Sequence, residues 1–366
     1  MLLPKKEIEA SVNELKELIR NTQDEEKKKE YNYFLFRLIG LTLVKDKPEA
    51  DHRSYTKKIR ELEDLYSDNI DFYQTFVDYD NSISNDREKL DYLSNNYESI
   101  DYQNYKLNKK QSISLARNFY RNLDPEFLNI VDDILNKKTL TIKKKVKSNY
   151  NGTTIFVGGI NKNYIEIQKH NDFQDYLTMV HEFGHAINNI YNPMSCFVVN
   201  YLGEFVSLFM GLVALYEGRG MFDDNLLTYH NIEDLLFYQD SIFTLVIQKE
   251  IVDLMYQNQF NKFNNQFISE VYNSLHITKK DLKKAINHSF INMSDYDFSY
   301  IMALELLHIY KQNKKEALEL LKELMIKIPL DNQLSKISTY LKPNVNAYTE
   351  SKEIIDSAHH ILKKTL

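Results

Sequence analysis

A chain of 366 residues exceeds the usual size of one compact domain, which predicts one large body or two packed subdomains, each able to bury a core. At 43% hydrophobic and 27% charged it is too apolar for intrinsic disorder, and with 9 glycines and 6 prolines it lacks the turns of an all-β barrel or sandwich. A net charge of -6 gives no positive field to gather nucleic acid, and the single cysteine, Cys196, excludes an internal disulfide and any thiolate cage for zinc.

The start, MLLPKKEIEA, runs into charge after three residues with no apolar signal region. Together with the lone thiol, this makes the cytoplasm the expected location. From Lys5 to about Lys137 the apolar residues recur at helical spacing. A capping box from Thr22 to Glu25 leads into Tyr33, Leu35, Phe36, Ile39 and Leu43. A second face runs through Ile59, Leu62, Leu65 and Tyr66, and a third through Ile113, Ala116, Phe119 and Tyr120. Between Thr139 and Lys169 the pattern changes: TTIFVGG and NYIEIQK are β-rich runs, separated by Gly158, Gly159 and Asn161. The basic run from Lys143 to Lys147 is short and reads as a solvated loop or face. Helical patterning resumes near Asp172 and continues to the end. The stretch Phe205 to Tyr216 is too short to span a bilayer and reads as a buried core helix, so no membrane partner is expected. The expected fold is mainly α with a small β-sheet. Its expected division is a helical region 1–145 and a catalytic region 146–366, unless one helical domain is continuous across that point.

The chemistry concentrates at His181-Glu182-Phe183-Gly184-His185, an HExxH sequence. On a helix, residues i and i+4 share a face, so both imidazoles can reach one cation, and the Glu at i+1 projects beside it as a general base. Tyr176, Leu177, Val180, Ile187 and Ile190 supply the helical periodicity. A hydrolytic zinc site uses three protein ligands and leaves the fourth position for water. Glu204, with 18 residues between it and His185, has strongly apolar flanks, where a carboxylate is costly unless paired or metal-bound. A partly solvated acid beside Gly203 is the other reading of that position.

The stretch DYLTMVHEFGHAIN followed by GEFVS resembles the thimet oligopeptidase and oligoendopeptidase F family of zinc metallopeptidases. The resemblance covers about residues 150 to 210. It implies a zincin-like helical fold, one zinc ion held by His181, His185 and Glu204, Glu182 as general base, and short peptides as substrates. It also implies an edge strand ahead of the helix that pairs with substrate backbone. Further along, the family carries a His with Tyr at +5 and +12. Here His288 and Tyr300 keep the +12 relation and are the implied oxyanion donors, whereas +5 is Met293, with Tyr296 as a possible substitute. The gap between His185 and Glu204 is shorter than is usual in that family and resembles gluzincin aminopeptidase spacing. The exopeptidase signature of those enzymes is missing. An aminopeptidase and a catalytically weakened helical metal-binding or interaction protein are therefore the competing readings. His170 reads as a loop residue, His308 as part of a packing face, Cys196 as a buried inert thiol, and His359 and His360 as ordinary helix residues.

Overall fold

The computed structural model describes residues 5–23, 70–103, 105–144, 151–157, 162–192, 201–257, 290–327, 341 and 345–365. The chain divides into two compact units, interleaved in sequence. The first comprises Met1–Ala50, Asn104–Ala214 and Leu321–Leu330, and the second Asp51–Gln103, Leu215–Leu320 and Asp331–Leu366. The described elements are mainly helical, with one three-stranded sheet, as the composition and periodicity predict. No described helix is long and apolar enough to cross a membrane.

In the first unit, α1 (Lys5–Asn21) is followed, beyond a stretch assigned to the second unit, by α4 (Lys109–Leu123) and α5 (Pro125–Asn136). Between α1 and α4 in sequence lie α2 (Ile70–Ile83) and α3 (Arg87–Asn96) of the second unit. Helix α4 begins at a capping box, Asn108 with Gln111, and α5 at Asp124, whose side chain accepts from the next two free amides while Pro125 occupies the first turn. Ala116, Phe119 and Tyr120 of the face anticipated on α4 are buried. The two capped helices pack on each other and on α6 (Phe173–Tyr191).

The β-rich region folds as β1 (Leu140–Lys143), β2 (Gly152–Val157) and β3 (Lys162–Gln168), in the order β1-β3-β2. Strand β3 is parallel to β1 and antiparallel to β2. Its side chains are buried from Asn163 to Ile167 because it is central. Lys143, the first residue of the basic run, bridges to the buried Glu166 of β3 at 2.6 Å. The turn into α6 is tied by Asp175, whose two carboxylate oxygens accept from the backbone N–H of His170 at 2.7 Å and of Asn171 at 3.0 Å. Asn171 has a φ of 66°, a left-handed conformation that Asn tolerates better than most residues. The exposed His170 is thus a loop residue, as expected.

Helix α7 (Tyr201–Glu217) contains the apolar run beginning at Phe205, and Phe205, Val206, Phe209, Met210, Leu212 and Val213 are all buried. The second unit is built on α2 and α3 together with α8 (Asp224–Gln257), α9 (Phe290–Gln312) and α11 (Val345–Thr365). Helix α10 (Lys314–Lys327) lies between α9 and α11 in sequence. Helix α11 packs on α2, α3, α8 and α9, and its first turn is capped across helices by Glu305, which accepts from Ala347 N at 2.8 Å. His308 Nδ1 lies 2.9 Å from Glu350 of α11, and His359 meets the edge of the Tyr92 ring at 5.5 Å. Both are explained by helix packing. Beyond residue 23, the anticipated pattern at 22–43 lies outside the described residues, as do the pattern at 59–66 and Cys196.

Candidate metal centre and its flanking strand

Helix α6 carries His181, Glu182 and His185 on consecutive turns. Its buried residues span most of its length, so it is held on several sides. Tyr120 of α4 donates to the carbonyl of Val180 at 2.6 Å, and its ring meets Phe183 edge-on at 6.0 Å. From the strand side, Asn163 donates to Ala186 O at 3.2 Å and accepts from Asn189 at 3.1 Å. These bonds flank the HExxH turns and fix which face of α6 meets the sheet.

Gly184, inside the motif, has a different task. A Cβ built there would stand 2.8 Å from the Cα of Ser207 on α7, closer than such atoms approach. The missing side chain is what lets the backbones of α6 and α7 come together, at the usual helix-interior cost of glycine, about 1 kcal/mol. Glu204 is one turn before Ser207 on the same face of α7, so this contact also carries its carboxylate to the histidines.

The result is a three-donor cluster. His181 Nε2 and His185 Nε2 lie 3.1 Å apart, and Glu204 Oε2 is 3.7 Å from the first and 3.5 Å from the second. Among the described residues this is the only group of three or more His, Cys, Asp or Glu side chains spaced to hold a metal ion. Zinc with ligands at about 2.0–2.2 Å in a tetrahedron requires donor separations of about 3.3–3.6 Å, which the three distances bracket. Two imidazoles and a carboxylate are also the right chemistry. Burial lowers the pKa of His181 to about 4, and burial followed by the neighbouring His181 takes His185 well below its ordinary value. Both rings are neutral near pH 7, with lone pairs available to a cation. The residues present fit a zinc ion.

The Glu182 side chain meets β2. Its Oε2 is 2.6 Å from the hydroxyl of Thr154, which also lies 3.1 Å from the Glu182 carbonyl oxygen. Its other oxygen rests against Gly152, where a Cβ would come within 2.4 Å. Burial pushes the Glu182 carboxyl up to about 7, against the opposing effect of the Thr154 hydrogen bond. A carboxyl poised there can accept and return a proton at neutral pH.

Of the residues anticipated from sequence, His181, His185 and Glu204 are brought together and Glu182 flanks them. Tyr300 belongs to the second unit. It is fully buried, its ring stacks on Tyr238 at 4.2 Å, and its hydroxyl has no hydrogen-bond partner among the described residues. Tyr296 is half-buried on the same helix, and His288 lies outside the described residues. Gly152, Thr154 and Gly184 went unrecognised as site builders. Only Gly184 left a signal, as a lone glycine within a helical pattern.

The sequence matches no family model and no curated protein. Among solved structures, the fold is similar to a candidate oligoendopeptidase F from Bacillus anthracis str. Ames, at 14% identity and a TM-score of 0.56, over 93% of this chain and 64% of that one. It is similar to PZ peptidase A with an inhibitor, at 12% identity and 0.55, over 96% and 71%. It is also similar to a candidate peptidase from Chlamydophila abortus, at 15% and 0.56, over 79% and 56%. The chain thus spans 56% to 71% of the length of these neighbours, and what it shares with them is a mainly helical fold.

Proposed function

We propose that the chain is a zinc-dependent peptidase that hydrolyses internal bonds of short peptides. The observation that carries this reading is the meeting of two imidazoles and one carboxylate at tetrahedral spacing, with Glu182 next to His181 on the same helix. The structural neighbours are peptidases by name, which supports the same reaction class.

His181, His185 and Glu204 would hold the ion. Bound zinc supplies Lewis acidity towards a peptide carbonyl and makes water easier to deprotonate. Glu182 takes the proton from water as the water oxygen bonds to the carbonyl carbon. It delivers that proton to the amide nitrogen as the C–N bond breaks, and so ends in its starting state. The edge of β2 on which no described strand pairs receives the substrate main chain as an added strand, the arrangement implied by the family resemblance. An oxyanion-donor role for Tyr300 and His288 rests on the resemblance alone.

The test is hydrolysis of N-blocked peptides and free aminoacyl reporters, with and without chelator, alongside zinc analysis. Internal cleavage of blocked peptides, its loss on chelation and one zinc per chain are expected. Glu182→Gln should retain the zinc and lower kcat by at least about a thousandfold. Cleavage confined to free amino termini would transfer the site to an aminopeptidase, and undiminished cleavage by Glu182→Gln would remove the role given to that residue.

A further inference from the structure

Thr154 stands in the middle of β2, and its main chain and side chain face different tasks. Gln168 N donates to Asn151 O at 2.7 Å, which makes that opposed pair a hydrogen-bonded one. Such pairs alternate along an antiparallel ladder. The pairs Gly152↔Ile167, Thr154↔Ile165 and Phe156↔Asn163 are therefore the ones that do not bond to each other. Ile165 agrees: its N–H turns the other way, to Thr139 O beside β1, at 3.0 Å. The N–H and C=O of Gly152, Thr154 and Phe156 consequently point away from β3, towards an edge where no described strand pairs.

The Thr154 side chain shares the face of Ile165 and Asn163, the face turned to α6, and meets Glu182 there. Its hydroxyl has one proton and two acceptors of the same residue within reach, the carboxylate oxygen at 2.6 Å and the carbonyl oxygen at 3.1 Å. A β-branched side chain on a paired strand has little rotational freedom, so the hydroxyl is a fixed anchor. The bare Cα of Gly152 leaves the space into which the carboxylate is drawn.

We infer that Thr154 is a positioning residue that couples docking of a peptide main chain on the β2 edge to placement of the Glu182 carboxylate. The inference rests on the peptidase reading above. The residue whose amide meets the substrate also holds the base, so a peptide that seats in register on β2 finds the carboxylate already aimed. One that does not seat leaves β2 without the added strand that would steady it.

Thr154→Val keeps the branching and volume and removes the hydroxyl, whereas Thr154→Ser keeps the hydroxyl and removes a methyl group. Expected for Val is a fall in kcat of about ten- to a hundredfold, the worth of one hydrogen bond to a charged group, with KM within about threefold. Its zinc content should match wild type and its Tm should fall by no more than about 5 °C, and Ser should recover both kcat, to within about threefold, and Tm. A scan of single N-methyl groups along a cleaved peptide should raise KM at alternate positions, those opposite the outward carbonyls of β2, in wild type and Val alike. The coupling is overturned if wild type cleaves and Val keeps its kcat, if Ser does no better than Val, if zinc is lost in step with kcat, or if no N-methyl position raises KM. A wild-type protein that binds zinc and leaves every peptide intact sinks the peptidase reading itself, and the coupling with it.

Discussion

Burial acts in opposite directions on the two kinds of side chain at the candidate metal centre. It strips protons from His181 and His185, which suits them to a cation, and it holds a proton on Glu182 to higher pH, which suits it to proton transfer. The spacing of these three residues was legible because HExxH is a local motif whose meaning depends on helical geometry alone. Glu204 was legible from its apolar flanks. Thr154 was not, because its bond to Glu182 joins residues 28 apart, and depends on a strand register that the letters do not carry. Tyr300 offers a clean test at this scale. Its hydroxyl has no partner among the described residues, so Tyr300→Phe removes one oxygen and little packing. If it is an oxyanion donor, kcat falls by about 10²–10³ with Tm nearly unchanged, whereas unchanged turnover assigns Tyr300 to the core alone.

Among the elements, the approach of α6 to α7 does most to make the site. Helical periodicity located α6, an apolar run located α7, and the resemblance included the segment GEFVS, but none of these explained the serine. Its small side chain lies over Gly184, and the pair sets the distance at which Glu204 meets the imidazoles. Gly184→Ala places a methyl group against the Ser207 backbone, which cannot step aside as a flexible side-chain tip would. The expected result is a loss of about 1–3 kcal/mol of stability together with weaker zinc binding, read by denaturant unfolding and by competition with a chelator. Retention of wild-type zinc affinity by a folded Gly184→Ala protein would show that the two helices have slack at this contact. The sheet was also legible as β-rich runs, though its order was not, since β1 pairs in parallel with β3 and leaves β2 at the rim.

At the scale of the whole molecule, composition announced a mainly helical chain, whereas the interleaving of two compact units depends on long-range packing that no local pattern reports. The units give separate handles on stability. In the first, if the proposed site binds zinc, the ion at about a hundred times its Kd would contribute about 2.7 kcal/mol, and Tm should rise by roughly 5–10 °C with added zinc. Replacing His185 by Ala should abolish that rise. In the second, burial raises the pKa of Asp80, although Arg87 and the hydrogen bond from Gln239 at 2.8 Å oppose it. A carboxyl that is harder to ionise when folded stabilises the fold below its unfolded pKa, and loses that contribution as pH climbs through its raised folded pKa. Asp80→Asn keeps an acceptor for Gln239 and has no such loss. Its Tm should exceed wild type near pH 7, with the gain vanishing in acid below the ordinary carboxylate range.

The alternation of outward amides on β2 has a selective consequence. Recognition through the rim of a sheet counts N–H groups before it inspects side chains, so many sequences satisfy it equally well. Proline is the exception, since it has no proton to give at the register opposite an outward carbonyl. A rim with outward carbonyls only at Gly152, Thr154 and Phe156 would therefore be indifferent to most of a peptide's alphabet and strict about one letter at every second place.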